Sequence, residues 1–140
     1  MVAVLKIIME KIIDEIVEWV KTEEDIVALA LVGSHARGTA KEDSDIDLII
    51  ITNNPEVYLD SDKWIAQFGE VEELRKEDYG LMQSRRVFYA NDFEVEFGIT
   101  TPEWAKKDPV DDGTKKVISD GIKILYDKNG VLGKLLTVLK

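Results

Sequence analysis

The sequence predicts an α/β (α+β) fold, in which a mixed β-sheet of about four to five strands has helices packed on it. Two apolar runs of strand length, at 26–32 and 48–51, flank a polar segment, and a hairpin pattern follows at 86–97. Helical periodicity of apolar residues appears near both ends of the chain. The length of 140 residues is typical of one domain, so we expect a single domain over 1–140.

The first element is a predicted amphipathic helix over 3–21. Its apolar residues recur every three to four positions, and charged residues occupy the other faces; the apolar series is Leu5, Ile8, Ile12, Ile16 and Val20. We expect this helix to pack against the sheet, which begins at Ile26.

The segment 33–48 connects the first two predicted strands, and its sequence is GSHARGTAKEDSDIDL. Gly33-Ser34 ends the first apolar run and predicts a tight turn that could receive a phosphate. Because side chains alternate across a strand, Asp45 and Asp47 should point to the same side, about 7 Å apart. Two carboxylates this close are unfavourable in a partly buried site unless a cation neutralises them, and Mg²⁺ is a hard ion that suits them.

Three known loop motifs do not fit this segment. A Walker A loop has lysine where Thr39 stands, and it leads into a helix rather than a strand. An EF-hand loop needs glycine where Leu48 stands and a glutamate at its twelfth position. A nucleophile elbow needs Gly-x-Ser-x-Gly, which the segment lacks. A solvated, aspartate-rich turn between two strands is the remaining structural alternative.

A hairpin is predicted from two alternating runs, 86–90 and 93–97, joined by the turn dipeptide Asn91-Asp92. In the second run Glu94 and Glu96 share one face, and the apolar residues share the other. A strand facing water would show the same alternation, so this pattern alone leaves the role of the two glutamates open.

The remaining segments carry weaker patterns. In chain order they predict a short helix over 59–68, a solvated connection over 70–83, a loop or short helix from 101, a helix beginning near 112–114, a strand over 122–126 and a terminal helix over 131–140.

Composition narrows the classes of function. The chain has no cysteine, which excludes disulfides, thiol catalysis and cysteine-bound zinc. Its formal net charge of −10 argues against a general affinity for nucleic acid backbones, so we do not expect nucleic acid as a partner. No stretch approaches the roughly 20 apolar residues of a membrane helix, so we expect a cytoplasmic protein without a membrane partner.

Gly33-Ser34, followed after a loop by Asp45-Ile46-Asp47 between apolar residues, resembles the nucleotidyltransferase superfamily typified by DNA polymerase β and the aminoglycoside nucleotidyltransferases. The fuller pattern, Gly-Ser-x-Ala-Arg-Gly with Ser-Asp-Ile-Asp-Leu, is similar to the minimal, single-domain branch of that superfamily. This resemblance implies the nucleotidyltransferase fold over the whole chain.

The resemblance also implies a reaction and its ligands. The superfamily transfers a nucleoside monophosphate from a nucleoside triphosphate to a hydroxyl, with ATP the expected donor here, and uses two Mg²⁺ or Mn²⁺ ions. Asp45 and Asp47 would hold the ions. The third acid lies on a later strand, and Glu96 is our first choice for it, both as a metal ligand and as the base that takes the acceptor's proton. Glu94 is the reserve candidate, because the family more often has aspartate here.

The same resemblance assigns nucleotide-binding residues. Gly33 would let the backbone approach the phosphates, and the Ser34 hydroxyl would bind them. Arg37 is a candidate phosphate ligand, with pairing to Glu42 or Asp43 as the structural alternative. His35 stands at a position that the family motif leaves open, and we assign it no role.

Two classes of function remain open from the sequence. One is an enzyme that modifies a small molecule or a protein side chain with a nucleotide. The other is a regulatory or antitoxin subunit of the same fold, weakly catalytic or non-catalytic, that acts with a helical partner protein. Because aminoglycoside enzymes of this superfamily add a helical acceptor domain, we expect a partner chain or a second copy to supply that surface. The acceptor itself is left open.

Overall fold

A computed structural model of the chain describes residues 2–40, 45–90, 93–105 and 110–139. The helices are α1 (Val2–Thr22), α2 (Ser34–Arg37), α3 (Pro55–Leu59), α4 (Asp112–Ser119) and α5 (Val131–Leu139), with 3₁₀ turns at Ile65–Phe68 and Pro102–Ala105. The strands are β1 (Ile26–Val32), β2 (Ile46–Thr52), β3 (Val71–Asp78), β4 (Met82–Tyr89), β5 (Glu94–Thr100) and β6 (Ile122–Asp127).

The described strands form one six-stranded sheet in the order β3-β4-β5-β2-β1-β6. β2 and β5 run parallel, and the other described neighbours pair antiparallel. The predicted mixed sheet with packed helices is therefore confirmed, with six strands where we expected four to five.

Both faces of the sheet are covered. One face packs against α1, α3 and the turn at 65–68, and its buried residues include Ile16, Leu29, Leu48, Tyr58 and Phe97. The other packs against α5 and the turn at 102–105, and its buried residues include Ala30, Ile49, Trp104, Leu132 and Leu135. All seven residues of β1 are buried, which explains why that strand is a continuous apolar run rather than an alternating one.

Covering both faces fixes where the acidic residues of the motif point. Val95 and Phe97 belong to the core under α1, so Glu96 between them points to the opposite face. Asp47 alternates in the same way with Leu48 and shares its face with Ile49. Both carboxylates therefore lie on the α5 side of the sheet, next to the covered core.

Residues 70–83 are not a solvated connection, and that prediction is wrong. They contain β3 and the start of β4, which pair from Val71↔Tyr89 to Asp78↔Gln83. β3 is an edge strand, and its residues are exposed or half-buried at every position. Backbone pairing with β4 therefore holds it in place, and its sequence needs no apolar alternation.

Three further elements differ in detail from the predictions. The segment 59–68 is not one helix, because α3 ends at Leu59 and a separate 3₁₀ turn follows at 65–68. The polar loop after Gly33 begins with the one-turn helix α2. α4 is capped by Asp111, whose carboxylate accepts from the Thr114 backbone N–H at 3.1 Å. None of the helices in the described ranges is long and apolar enough to span a membrane.

Candidate active site

The turn at Gly33 brings the end of β1 against the Asp47 carboxylate. Gly33 has φ 74° and ψ −154°, a conformation open almost only to glycine. A Cβ atom at this position would collide with the Asp47 carboxylate oxygen. The Gly33 carbonyl accepts from the Ala36 and Arg37 amides, each at 3.1 Å, which starts α2 at Ser34. Glycine is therefore needed here for the backbone conformation and for the space that Asp47 fills.

Asp45 and Asp47 form the acidic centre of the site. Their side chains are hydrogen-bonded to each other, as the prediction that both point to one side requires. Burial, the hydrogen bond and charge of Asp45, and the charge of Glu96 together raise the pKa of Asp47 to about 8, against the lowering effect of Arg86. Asp47 therefore keeps its proton near neutral pH.

Glu96 lies beside Asp47 on the neighbouring parallel strand, because the two residues are register partners of β2 and β5. Its Oε2 atom accepts from the Ser84 hydroxyl at 2.8 Å and from Arg86 Nη2 at 2.9 Å. Glu94 is two residues away along β5 and accepts from Arg86 Nη1 at 2.6 Å. The structure thus brings Glu96, the first choice for the third acid, next to Asp47.

Arg86 is a residue of this site that the sequence analysis missed. Its guanidinium lies 2.6 Å from Glu94, 2.9 Å from Glu96, 3.6 Å from Glu77 and 3.7 Å from Asp45. One cation thus contacts four carboxylates, two of which we predicted as functional. Each of these four carboxylates forms an ion pair with Arg86, so its guanidinium holds them together.

The predicted hairpin turn explains why Arg86 was missed. A two-residue turn at Asn91-Asp92 would pair Arg86 with Phe97 and turn its side chain to the other face of the sheet. In the structure Arg86 pairs with Glu96, one residue away from that register. The turn dipeptide lies outside the described residues. A change of one residue in register moves every side chain of a strand to the opposite face.

A pocket of about 460 Å³ opens over these carboxylates. Its floor is the sheet, and its other wall is α4 with the 102–105 turn; the lining includes Gly33, Asp47, Ser84 and Glu96 on one side and Trp104, Lys116, Val117 and Asp120 on the other. This volume lies in the range of ligand-binding clefts. The pocket therefore joins the glycine turn, Asp47 and Glu96 in one cavity.

Arg37 lines the same pocket and is anchored at its far wall. Its Nη1 donates to the Asp120 carbonyl at 3.3 Å. Its side chain lies against Gly121, where an added Cβ would come within 2.7 Å of Arg37 Cγ. The alternative partners Glu42 and Asp43 lie outside the described residues. The role of Arg37 as a phosphate ligand stays a prediction, as does that of Ser34, the first residue of α2.

The Asp45–Asp47 pair fits a divalent cation. Their oxygens are hard ligands, and a divalent cation would offset the burial and the neighbouring negative charges that raise the pKa of Asp47. In the part of the chain that the structure describes, no three acidic or histidine side chains converge closely enough to hold one ion. Glu96 makes its contacts with Ser84 and Arg86 instead. Its place in the metal set therefore stays a prediction.

The raised pKa of Asp47 predicts a pH-dependent stability. Because the folded-state pKa of Asp47 lies above its ordinary value of 3.8, the folded chain binds more protons there between about pH 4 and pH 8. The contribution of this residue to stability is therefore complete at low pH and is lost as pH rises through about 8. Asp47→Asn removes this loss, so in EDTA it should unfold at a higher temperature than wild type at pH 8.5 but not at pH 4.

Thermal unfolding across this pH range measures the effect. An increase of about 1 kcal/mol in the free energy of unfolding raises the Tm of a chain of this size by roughly 3 °C. A difference in Tm between variant and wild type that is the same at every pH would contradict the assigned cause.

Comparison with known proteins identifies the family. A family model described as a nucleotidyltransferase domain matches residues 13–120. Over 48 residues the chain is 42% identical to "Putative protein adenylyltransferase MJ1305" of Methanocaldococcus jannaschii, an alignment that covers 33% of each chain. The crystal structure of an aminoglycoside 6-adenyltransferase from Bacillus subtilis is similar with a TM-score of 0.55 and 14% sequence identity, over 69% of this chain and 36% of that one.

These matches differ in what they establish. The structural likeness, at this low identity, is one of fold, and the chain covers only about a third of the length of either named protein. The family match is broader, because it runs from α1 to the end of α4 and contains the glycine turn, the aspartate pair and Glu96. The resemblance predicted from the motif is confirmed, and the chain belongs to the nucleotidyltransferase domain family.

Proposed function

We propose that this chain, as a single domain over 1–140, transfers a nucleoside monophosphate from a nucleoside triphosphate to a hydroxyl of a small molecule or a protein. The observation that supports the proposal is the register of β2 and β5, in which Glu96 lies beside Asp47 in the pocket that Gly33 also lines. The printed names of two similar proteins, an adenylyltransferase and an adenyltransferase, support ATP as the donor.

Each residue then has a defined task in the proposed reaction. Asp45 and Asp47 would hold Mg²⁺ or Mn²⁺, which when bound neutralises the charge that develops on the phosphate oxygens. Gly33 leaves room for the triphosphate near the backbone, and the Ser34 hydroxyl would donate to its oxygens. Glu96 would accept the proton of the attacking hydroxyl. The acceptor oxygen bonds to the α-phosphorus, and pyrophosphate leaves.

Ser84 and Arg86 would position the proposed base. Both donate to the same oxygen of Glu96, so its carboxylate is fixed at the side of the pocket where an acceptor must arrive. Arg86 therefore belongs to the positioning residues of the proposed mechanism.

One observation favours the second candidate, a regulatory subunit that acts with a helical partner. Arg86 already supplies a positive charge to Asp45 and Glu96. A chain in which that guanidinium stays in place during nucleotide binding would bind the nucleotide and transfer it slowly or not at all. Binding and transfer therefore have to be measured separately.

Binding is tested by thermal shift and calorimetry with each of the four nucleoside triphosphates, with and without Mg²⁺ or Mn²⁺. We expect one nucleotide to stabilise the chain in a metal-dependent way, by about 2.7 kcal/mol at a concentration of 100 times Kd. Asp45→Asn/Asp47→Asn should abolish the metal-dependent part, because the phosphates and the ion share these ligands.

The chain offers a matched control for the double variant. Asp60-Ser61-Asp62 has the same Asp-x-Asp spacing, and both of its aspartates are exposed away from the pocket. Asp60→Asn/Asp62→Asn should bind like wild type. Equal metal and nucleotide affinity in both double variants would refute the assignment of Asp45 and Asp47.

A further inference from the structure

The turn between β3 and β4 places an exposed tyrosine at the rim of the pocket. Tyr79 is 53% exposed and lines the same cavity as Asp47 and Glu96. Two other tyrosines are in the core, where Tyr58 is 2% exposed and Tyr89 is 3% exposed. Tyr79 is thus the exposed phenol that faces the proposed reaction site.

The turn itself holds Tyr79 in position. The Tyr79 amide donates to the Met82 carbonyl at 2.8 Å, and the Gly80 amide donates to the Asp78 carboxylate at 2.8 Å. Gly80 has φ 80°, so it takes the left-handed conformation that such a turn requires. These bonds order the backbone at the rim, although the side chain remains open to solvent.

The phenolic hydroxyl of Tyr79 lies between a carboxylate and a guanidinium. Its hydroxyl donates to Glu77 Oε2 at 2.7 Å, so a carboxylate base is already in contact with its proton. The hydrogen bond to Glu77 raises the pKa of Tyr79, so the phenol keeps its proton until an acceptor step removes it, and Arg86, which also hydrogen-bonds to Tyr79, acts in the opposite direction. The same guanidinium lies 2.9 Å from Glu96. One side chain therefore links the phenol to the proposed catalytic carboxylate.

From this arrangement we propose that Tyr79 is a nucleotidylation site, whose hydroxyl accepts a nucleoside monophosphate from the transfer site of its own chain. The proposal rests on the proposed function, and it supplies an acceptor for it. An exposed tyrosine that only contacted a neighbouring glutamate on its strand would be ordinary. Tyr79 differs because it also contacts Arg86 and shares the pocket with Asp47.

The step is balanced with the nucleoside triphosphate as the co-reactant. The Tyr79 oxygen forms a bond to the α-phosphorus, and the bond between that phosphorus and the bridging oxygen of the pyrophosphate group breaks. Pyrophosphate leaves with the electron pair, and the phenolic proton passes to the Glu77 carboxylate, which is the base for this acceptor in place of Glu96, the proposed base for a hydroxyl of another molecule. The product is a phosphodiester between the tyrosine and the nucleoside.

The test incubates the full chain with ATP and Mg²⁺ and follows its intact mass and its peptides by mass spectrometry. We expect the addition of one adenylyl group per chain, located on Tyr79. Tyr79→Phe should abolish the addition, whereas Tyr126→Phe, which changes a partly buried tyrosine on β6, should keep it. Circular dichroism and melting temperature establish that both variants fold.

A second pair of variants tests the base. Glu77→Gln should slow the modification by about 10²-fold or more, since positioned bases contribute about 10²–10⁴-fold. Glu73→Gln is the matched control, because Glu73 lies on the same strand and pairs with Arg75 rather than with Tyr79. Equal rates for the two variants would overturn the role of Glu77 as the base for this step.

Isotope labelling decides whether the step occurs within one chain. Unlabelled wild type is mixed with ¹⁵N-labelled Asp47→Asn, which keeps Tyr79 but lacks a residue of the transfer site. We expect modification of the wild-type mass only. Modification of the ¹⁵N-labelled chain would show that a second copy donates the nucleotide, and it would overturn the within-chain step.

Pyrophosphate measured in the same samples distinguishes a failure of the Tyr79 inference from a failure of the proposed function. Pyrophosphate release without modification of Tyr79, or with modification of another residue, would overturn this inference and leave the proposed function intact. Neither pyrophosphate nor modification, with ATP or with the other three triphosphates, would overturn both.

Discussion

Glu96→Gln is expected to lower the rate of nucleotidyl transfer to a hydroxyl of another molecule by about 10²–10⁴-fold, because it removes the proposed base while keeping the side chain's length and shape. Nucleotide affinity should change only modestly, since the proposed phosphate and metal contacts come from Ser34, Asp45 and Asp47. Single-turnover rates and nucleotide Kd values, measured on the same preparations, separate the two effects.

Glu94→Gln is the matched control for this experiment. Glu94 is also bound to Arg86, but the register of β2 and β5 places Glu96, not Glu94, opposite Asp47. Its substitution should therefore cost much less activity. If Glu94→Gln were the inactive variant and Glu96→Gln the active one, the third acid would have been assigned two residues away from its true position.

Gly33→Ala is expected to abolish transfer and to destabilise the fold. The backbone conformation at Gly33 costs about 1–3 kcal/mol for a residue with a side chain. The added Cβ would also displace the Asp47 carboxylate, and a shift of about 1 Å in a catalytic group can cost on the order of 10²-fold in rate. Thermal unfolding and the transfer assay measure the two consequences.

Gly38→Ala controls for backbone strain alone. Gly38 has φ 75° and ψ 19°, and an added Cβ there meets no atom within 4 Å. We expect a loss of about 1–2 kcal/mol from the left-handed conformation, with little loss of activity per folded molecule. If Gly33→Ala lost no more activity than Gly38→Ala, contact between Gly33 and Asp47 would not matter for the reaction.

Much of the fold could be predicted from the sequence where a buried face imposes a pattern. α1 has a helical apolar series and β1 is an apolar run, and both are observed within one residue of the predicted limits; β2 begins two residues before its apolar run at 48–51. β3 could not be predicted, because the residues of this edge strand are exposed or half-buried and show no apolar alternation. Backbone pairing with β4 holds the strand in the sheet.

The candidate site, like the fold, could be predicted from the sequence only in part. Asp45, Asp47 and Gly33 come from one continuous segment, so their spacing alone places them together. The proximity of Glu96 followed from the resemblance, since local patterning left two glutamates equivalent. The position of Arg86 in the site depends on the hairpin register, which differs by one residue from the register of a two-residue turn at Asn91-Asp92. Nothing local in the sequence indicates that difference.

The most direct measurement of the central claim is the fate of the α-phosphorus of ATP. Wild-type chain is incubated with Mg²⁺ and with ATP labelled at the α- or the γ-position, and the products are separated. The account predicts that the γ-label leaves as pyrophosphate while the α-label becomes bonded to an acceptor oxygen, and that Asp45→Asn/Asp47→Asn produces neither. ADP and phosphate as the products, no pyrophosphate from the wild type, or equal pyrophosphate from the double variant would contradict it.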